Sequence, residues 1–342
     1  MTSPSRILVT GGSGYIAGVL IRQLLDAGWL VHTTLRDPSR EPALRRQLGA
    51  ATGDTADQLR CFRAELLADA GWAEAAAGCS HVAHLASPLP VGVPRDANEL
   101  IVPARDGALR VLRAARDAGV QRFVMTSSVA AIAYGHGPGE HQLTEADWTQ
   151  LSTPGVPPYV QSKTLAERAA RDWVTREGGG LEFCTVNPSV VLGPVASADH
   201  SASVVIVQGL LSGRIPALPR VGFGVVDVRD VAELHVRALT APGLAGERFI
   251  ACGGFWWLRE IAAVLRAELG EQARKVPTCE LPDWSVRLLA LVSPTVRAAA
   301  AELGVVRHQR SDHARERLGW VPRPPREAIV QTARDLIALG LV

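Results

Sequence analysis

The sequence predicts an α/β protein built on a doubly wound parallel sheet, with a smaller, mostly helical C-terminal lobe. The first half of the chain alternates short apolar runs with longer amphipathic or Ala-rich stretches, a pattern typical of parallel strands joined by crossover helices. A glycine-rich turn follows the first of these runs. After about residue 188, prolines interrupt the alternation and short helical patterns dominate.

Composition limits the classes of partner. The chain has 342 residues, of which 47% are apolar and 20% are charged, a mix typical of globular proteins. The net charge is +2, and no block of five or six like charges occurs. We therefore predict neither a nucleic-acid partner nor a membrane partner.

Cysteine usage and the N-terminus indicate the compartment. The five cysteines are widely spaced and form no C-x-x-C pair, so we predict no disulfide framework and no metal site. The first strand pattern begins at Arg6, which leaves no room for a secretory leader. No apolar run reaches the ~18 residues of a spanning helix. We expect a cytoplasmic protein.

Six apolar runs predict the strands of the sheet, and their near-continuous apolar character is typical of strands covered on both faces. They are residues 6–10, 30–35, 59–64, 81–86, 122–127 and 181–187. Segments 225–239 and 247–252 indicate a return to the sheet. The predicted division is residues 1–188 plus about 222–252 for the sheet domain, and 189–221 plus 253–342 for the smaller lobe. Within the sheet domain, LTEADW (143–148) predicts a capped helix start, with Thr144 as the N-cap.

The segment VTGGSGYIAG joins the first strand to the first helix. Gly11 permits the tight turn, and Gly14 lets the backbone approach a pyrophosphate. The helix N-terminus behind them offers unpaired N–H groups and the positive end of the helix dipole. Ala17 occupies the third small position and still allows the helix to pack closely on the strand. The motif predicts a dinucleotide-binding domain of the Rossmann type.

The end of the second strand should meet the adenosine ribose of the dinucleotide. An acidic residue there binds the 2′-hydroxyl of NAD, whereas an arginine accommodates the 2′-phosphate of NADP. Arg36 stands at this strand end, and a guanidinium suits a forked contact to phosphate. We therefore predict NADP(H), with Arg40 as a further candidate contact. Asp37 supports the alternative, since it would reach the ribose if the strand ended one residue later.

Tyr159 and Lys163 are four residues apart in a predicted helix and therefore lie on one face. A tyrosine phenol has a pKa near ~10, and a nearby ammonium favours its ionised form. Such a phenol can exchange a proton with a carbonyl or an alcohol near neutral pH. Lys163 is one of only two lysines among 36 basic residues, which indicates that arginine does not serve at this position.

A serine pair supplies the third element. Ser127 and Ser128 close the fifth strand, at the carboxyl edge where doubly wound sheets bind ligands. A hydroxyl there can hydrogen-bond a substrate oxygen and stabilise charge as a hydride adds. Serine, tyrosine and lysine together predict an oxidoreductase.

The motifs resemble those of a known superfamily. Together the chain's segments are similar to the extended short-chain dehydrogenase/reductase superfamily, and most similar to its dihydroflavonol-4-reductase-like group, which includes bacterial NADPH-dependent aldehyde and ketone reductases. The resemblance rests on TGGSGYIA, LRDPS, HLASP (84–88), TSSVAA, YVQSK, VNPSVVLGP (186–194) and RERLGWVPRPPREAI. It covers nearly the whole chain and implies hydride transfer from the nicotinamide while a tyrosine protonates the oxygen.

The resemblance also implies roles for individual residues. The catalytic residues would be Ser128, Tyr159 and Lys163. Those bordering NADPH would be Gly11, Gly14, Tyr15, Ile16 and Arg36, with Leu66 at the adenine, Leu85, Ala86 and Ser87 at the ribose and nicotinamide, and Pro188 and Ser189 at the carboxamide. A homodimer through the helices around 97–118 and 158–177 is implied in the same way.

The substrate pocket is predicted to be apolar. Ile132 stands four residues after Ser128, where plant flavonoid reductases carry a polar substrate contact, and this counts against a polyphenol. Tyr134, in the loop after the fifth strand, and Phe223, between two glycines, are further candidates for the pocket wall. We expect a small aldehyde or ketone with an apolar or aromatic group.

Three alternatives stay open. A nucleotide-sugar epimerase or dehydratase shares the scaffold, but sugar dehydratases of this superfamily place an acidic pair where this chain has Val129 and Ala130. A hydroxysteroid dehydrogenase fits the same residues. A regulator that senses NADP(H) without chemistry has no need of Ser128, Tyr159 and Lys163 together.

Overall fold

The chain folds around one large parallel sheet and two small sheets. The computed structural model describes residues 5–49, 57–88, 94, 96–197 and 201–342. Its strands are β1 (Arg6–Thr10), β2 (Leu30–Leu35), β3 (Leu59–Arg63), β4 (His81–His84), β5 (Arg122–Thr126), β6 (Glu140–Leu143), β7 (Glu182–Pro188), β8 (Val190–Leu192), β9 (Gly222–Asp227), β10 (Arg248–Ala251), β11 (Phe255–Trp257) and β12 (Val306–Gln309). The large sheet has the order β10-β7-β5-β4-β1-β2-β3, and the small sheets are β11-β9-β8 and β12-β6.

Every neighbouring pair in the large sheet is parallel. From β1 the chain adds β2 and β3 on one side, then returns to add β4, β5, β7 and β10 on the other. Such a reversal opens a crevice at the carboxyl edge of the sheet, where open α/β sheets bind ligands. The predicted doubly wound sheet is confirmed.

Helices cover both faces of the large sheet. Their bounds are α1 (Tyr15–Asp26), α2 (Glu41–Gln47), α3 (Trp72–Ala76), α4 (Asn98–Asp117), α5 (Pro158–Glu177), α6 (Val204–Ser212), α7 (Val228–Thr240), α8 (Leu258–Leu269), α9 (Asp283–Leu289), α10 (Pro294–Ala301), α11 (Asp312–Leu318) and α12 (Pro325–Ala338). Helices α1 and α7 share a core on one face, and α3, α4 and α5 share a core on the other. In the part of the chain that the structure describes, no helix combines the length and apolar character needed to cross a bilayer.

The two-sided burial explains the sequence of β1. Ile7 and Val9 pack into the core beneath α1, whereas Leu8 packs into the opposite core, and all three are fully buried. Successive side chains of a strand point to opposite faces, so a strand between two helix layers is apolar at every position. Each such burial contributes roughly 1.5–3 kcal/mol.

A second lobe is built around its own core, formed by α6, α8, α12 and the sheet of β8, β9 and β11. Two segments were predicted to return to the large sheet, and they have different outcomes. Strand β10 does pair with β7, but β9 pairs with β8 and β11 in the small sheet instead. The prediction was therefore correct for β10 and wrong for β9, because an apolar run does not specify which sheet it joins.

The helix start predicted at residues 143–148 is wrong. The capping contact exists, since the Asp147 carboxylate accepts hydrogen bonds from the Thr144 backbone N–H at 2.8 Å and from its hydroxyl at 3.1 Å. The chain forms only a turn there. Thr149 donates its hydroxyl to the carbonyl of Ala130 at 2.6 Å, so a tertiary contact replaces the helix.

Trp320 generates a stability prediction. It is fully buried in the core beneath α1, and its indole N–H donates to the Asp230 carbonyl at 2.9 Å. We expect Trp320→Ala to lower the free energy of unfolding by about 3–5 kcal/mol through the cavity it leaves. Trp320→Phe should cost less, about 1–3 kcal/mol, because the phenyl ring fills much of the cavity and the indole hydrogen bond is lost.

Denaturant unfolding followed by circular dichroism measures both effects. Trp284→Ala is the matched control, because Trp284 is 69% exposed. A surface substitution of this kind should stay within about 0.5 kcal/mol. Equal losses for Trp284→Ala and Trp320→Ala would contradict the burial argument.

Candidate active site

The predicted cofactor residues follow the strands in spatial order along the carboxyl edge of the large sheet. Arg36 follows β2 and Leu66 lies beyond β3, on one side of the crevice. Gly11 follows β1 at its centre. Residues 85–87 follow β4, and 188–189 lie at the end of β7, on the other side. The fold therefore gathers into one crevice segments that are far apart in sequence.

The glycine turn after β1 has no room for larger residues. Gly11 has φ +71°, and a Cβ added there would lie 3.0 Å from the Cα of Ala86. Its N–H donates to the Thr34 hydroxyl at 3.0 Å, which fixes the turn against β2. Gly14 is the N-cap of α1 and offers no side-chain acceptor to the first-turn N–H groups. These N–H groups are placed to bind an anion.

Tyr15 and Ile16 are the first two residues of α1. The Tyr15 ring packs against the core beneath α1 and against the core of the second lobe. Its hydroxyl is buried without a hydrogen-bond partner among the described residues. Burial raises the pKa of this phenol. Ile16 packs against the core beneath α1. A contact of Tyr15 with a pyrophosphate would therefore come from its backbone N–H rather than from its ring.

The two residues that follow β2 are the candidates to bind the adenosine ribose or its phosphate, and they have different surroundings. Arg36 is exposed, and no partner for its guanidinium occurs within the described ranges. The Asp37 carboxylate accepts a hydrogen bond from the Ser39 N–H at 3.0 Å and caps the short 3₁₀ turn Pro38–Arg40. Hydrogen bonds from the Ser39 hydroxyl and, to a smaller extent, from its N–H hold the pKa of Asp37 below its usual value. Asp37 is thus engaged in a local turn, whereas Arg36 is available to a ligand.

Thr10 anchors the loop after β4, a role that sequence reasoning missed. Its hydroxyl oxygen accepts hydrogen bonds from the N–H groups of Leu85 and Ala86, both at 3.0 Å. It also bonds Nδ1 of His84 at 2.9 Å, and as its lone pairs are occupied it is the donor there. Burial lowers the pKa of His84 to about 3, so the ring is neutral. A polar residue ending an otherwise apolar strand was the available signal.

The three predicted catalytic residues come together at the centre of the crevice. Lys163 is 6% exposed, and its Nζ lies 5.9 Å from the centroid of the Tyr159 ring. Ser128 caps the 3₁₀ turn that follows β5, where its Oγ accepts a hydrogen bond from the Ala130 N–H at 3.1 Å. The Ser128 side chain also lies close enough to the Tyr159 phenol to lower its pKa. The serine, the tyrosine and the lysine therefore form one connected group.

The protonation states of this group suit proton donation. Burial raises the pKa of Tyr159, and the nearby Ser128 side chain lowers it to a smaller extent, so the phenol keeps its proton at neutral pH. Burial lowers the pKa of Lys163 to about 8, against the opposing effect of the Glu167 carboxylate. At pH 7 the lysine is still mainly an ammonium. A protonated phenol beside an ammonium can protonate a nascent alkoxide.

The adjacent serines have different surroundings. Ser127 is 3% exposed and donates to the carboxylate of Glu167 at 2.5 Å, away from the crevice. Ser128 is partly exposed and faces Tyr159. The sequence did not single out Glu167, although its position four residues after Lys163 placed it on the same helical face.

The three predicted substrate residues lie in different environments. Ile132 is fully buried among apolar neighbours, so in this conformation it has no surface to offer a substrate. Phe223 packs against the core of the second lobe. Tyr134 is partly exposed, packs against the same apolar cluster as Tyr159, and lies beneath the Arg307 guanidinium at 4.4 Å. All three assignments stay predictions.

Comparisons with a family model and with known sequences indicate the family of the chain. A family model described as the NAD dependent epimerase/dehydratase family matches residues 7–252. Cinnamoyl-CoA reductase CAD2 of Medicago truncatula is 36% identical over 248 residues, which cover 70% of this chain and 74% of the relative. A putative anthocyanidin reductase of Ginkgo biloba is 34% identical over 256 residues, with coverage of 70% and 73%.

The fold comparison agrees. The crystal structure of yeast methylglyoxal/isovaleraldehyde reductase Gre2 complexed with NADPH matches with a TM-score of 0.80 at 22% identity, covering 98% of this chain and 100% of that one. At this identity the match concerns the fold alone. The chain belongs to the NAD dependent epimerase/dehydratase family, which confirms the predicted membership of the extended short-chain dehydrogenase/reductase superfamily and its dihydroflavonol-4-reductase-like group.

Proposed function

We propose that this protein is a reductase that uses NADPH to convert a small aldehyde or ketone, with an apolar or aromatic group, to the alcohol. The observation that carries the proposal is the connected group of Ser128, Tyr159 and Lys163 at the carboxyl edge of the sheet. Two relatives are reductases by name, and yeast Gre2 is complexed with NADPH, which supports both the reaction and the cofactor.

The residues of the crevice fit a dinucleotide. The turn at Gly11 holds bare backbone against the loop after β4, and the first turn of α1 presents N–H groups for a pyrophosphate. At the other end, the buried hydroxyl of Ser189 lies beside the Cys252 thiol and has no oxygen or nitrogen partner within the described part of the chain. A carboxamide would satisfy that hydroxyl. Arg36 would hold the 2′-phosphate.

The roles of the catalytic group follow from its geometry. NADPH supplies the hydride when bound. Ser128 orients the carbonyl oxygen of the substrate and stabilises the charge that develops on it. Tyr159 holds the proton that this oxygen takes. Lys163 places a positive charge beside the phenol, which stabilises the phenolate left after proton transfer, and it would bind the ribose hydroxyls.

A sugar-nucleotide reaction is the second candidate, because the description of the matching family names epimerases and dehydratases. The residues after Ser128 count against a dehydratase. Val129 and Ala130 carry no carboxylate, and Ala130 is 4% exposed within an apolar cluster. The acid–base pair that such an elimination requires is missing at this position.

The glycine turn yields a test of cofactor binding. Gly11→Ala should weaken NADPH binding at least about tenfold, because the clash with Ala86 displaces the turn and with it the N–H groups that would face the pyrophosphate. Gly28→Ala is the matched control, since Gly28 has φ +80° and an added Cβ meets nothing within 4 Å. It should lose stability without losing affinity. Fluorescence titration with NADPH measures both, and equal affinities for the two variants would refute the role of Gly11.

Cofactor choice tests Arg36. Removing charge-assisted hydrogen bonds worth ~1.5–3 kcal/mol should raise the KM for NADPH about 10- to 100-fold in Arg36→Ala, with little change for NADH. Asp37→Ala should leave the KM for NADPH unchanged, because its carboxylate caps a turn. Initial rates with each cofactor decide. If Asp37→Ala instead raises the KM for NADH and the wild type prefers NADH, Asp37 is the ribose ligand.

The decisive test of the activity is Tyr159→Phe. We expect kcat to fall by about 10²–10⁴-fold, the usual contribution of a positioned acid, with an unchanged Kd for NADPH. Tyr15→Phe removes the phenol hydroxyl of a predicted cofactor residue rather than of the catalytic group, so it should lower kcat far less than Tyr159→Phe does.

The assay is loss of NADPH absorbance with aromatic and aliphatic aldehydes, ketones and keto esters. Full turnover by Tyr159→Phe would show that another group donates the proton. Cofactor binding without turnover of any carbonyl by the wild type would direct the search to nucleotide sugars first and to a sensing role next.

A further inference from the structure

Glu167 is a buried carboxylate at the junction of three segments of the site. It lies on α5, four residues after Lys163, and is fully buried. Its Oε2 accepts hydrogen bonds from the Ser127 hydroxyl at 2.5 Å and from the Asn187 amide at 2.8 Å. The Asn187 amide also donates to the backbone carbonyl of Ser128 at 3.2 Å. One oxygen therefore joins the helix of Lys163 to the ends of β5 and β7.

The other oxygen meets two cations. Oε1 accepts from Nε of Arg248 at 2.7 Å and from Nε of Arg171 at 3.1 Å. Arg248 is 6% exposed, and its guanidinium stacks on the Trp148 ring at 4.0 Å. Two guanidinium groups against one carboxylate leave a net positive charge beside the helix that carries the catalytic lysine. Glu167 is the negative group of this cluster.

We propose that Glu167 is a positioning residue for the reaction: it fixes Ser128 and the end of β7 through Ser127 and Asn187, and it supplies the negative charge that keeps Lys163 an ammonium. Its relevance to catalysis rests on the proposed reductase function. The charge relation between the two side chains does not depend on that function and can be measured separately.

The groups around Lys163 single out Glu167. Tyr159 and Glu167 share its helix, and His84 faces it from the end of β4. His84 is neutral because burial, and to a smaller extent Lys163 itself, lower its pKa to about 3. The phenol of Tyr159 is also neutral at pH 7, since burial raises its pKa. The carboxylate is thus the charged group among these three.

The direction of the effect follows from this arrangement. Burial lowers the pKa of Lys163 to about 8, and Glu167 opposes that change. When Glu167→Gln removes the charge and keeps the shape, the pKa of Lys163 should fall further. The lysine then loses its proton at a lower pH than in the wild type. Reductase activity that requires the ammonium should fall at that lower pH as well.

The composition of the chain makes a direct measurement feasible. Lys163 and Lys275 are its only lysines, so lysine labelled with ¹³C at Cε gives two NMR signals, and the exposed Lys275 is an internal reference. We expect Glu167→Gln to lower the titration midpoint of Lys163 by about one to three pH units, the upper value being the effect of a full charge ~4 Å away at an effective dielectric constant of ~20. Glu167→Asp, which keeps the charge, should stay near the wild type.

Two further variants complete the design. Glu182→Gln is the matched control, because it removes the partner of buried Arg122 at the opposite end of β7, about 16 Å along the strand from Asn187. It should leave the Lys163 midpoint unchanged. Arg171→Gln removes one cation from Oε1 and should raise the midpoint, which keeps the proposal testable if Glu167→Gln does not fold.

The kcat–pH profile of each variant should shift in the same direction as its Lys163 midpoint. An unchanged midpoint in Glu167→Gln, or in Arg171→Gln if the former does not fold, overturns the proposal. A loss of thermal stability without a shift of either curve means that Glu167 is structural only and overturns it too. If the wild type reduces no carbonyl, the proposed function fails, while the NMR titration still decides whether Glu167 sets the charge of Lys163.

Discussion

The arrangement of the site depends on the burial of one carboxylate. Glu167 has no exposed surface, yet it stays ionised because Arg248, Arg171 and Ser127 offset the cost of burial and hold its pKa below the usual value. A buried charge is tolerated only when it is fully paired. The pairing therefore fixes β5, β7, β10 and α5 relative to one another. The same arrangement brings Ser128 close to Tyr159.

A neutral network performs the corresponding task on the cofactor side. Thr10 ends β1, and its hydroxyl binds the two N–H groups that open the loop after β4. Because that loop passes close to Gly11, a side chain at Gly11 would collide with Ala86. The crevice at the switch point is thus shaped by hydrogen bonds between strand ends. The close approach of the loop to Gly11 depends on these hydrogen bonds.

Much of the fold and of the site was predictable because the signals are local. The period of apolar runs identifies strands whatever their partners, and β1 shows it at every position. The four-residue spacing of Tyr159 and Lys163 fixes a shared helical face without knowledge of the fold. The sheet that β9 joins and the helix start at Thr144 were predicted wrongly, because each outcome depends on a contact with a distant segment: β8 for the strand and the Ala130 carbonyl for the turn.

The sequence by itself determined the parallel sheet, the glycine turn and the shared helical face of Tyr159 and Lys163, and it predicted the edge for the cofactor, since backbone geometry and side-chain period specify these over a few residues. The tertiary structure decided which serine faces Tyr159 and which binds Glu167. It also decided that Asp37 caps a turn while Arg36 faces solvent. Such choices follow from which distant polar groups are buried together, and burial is a property of the folded chain.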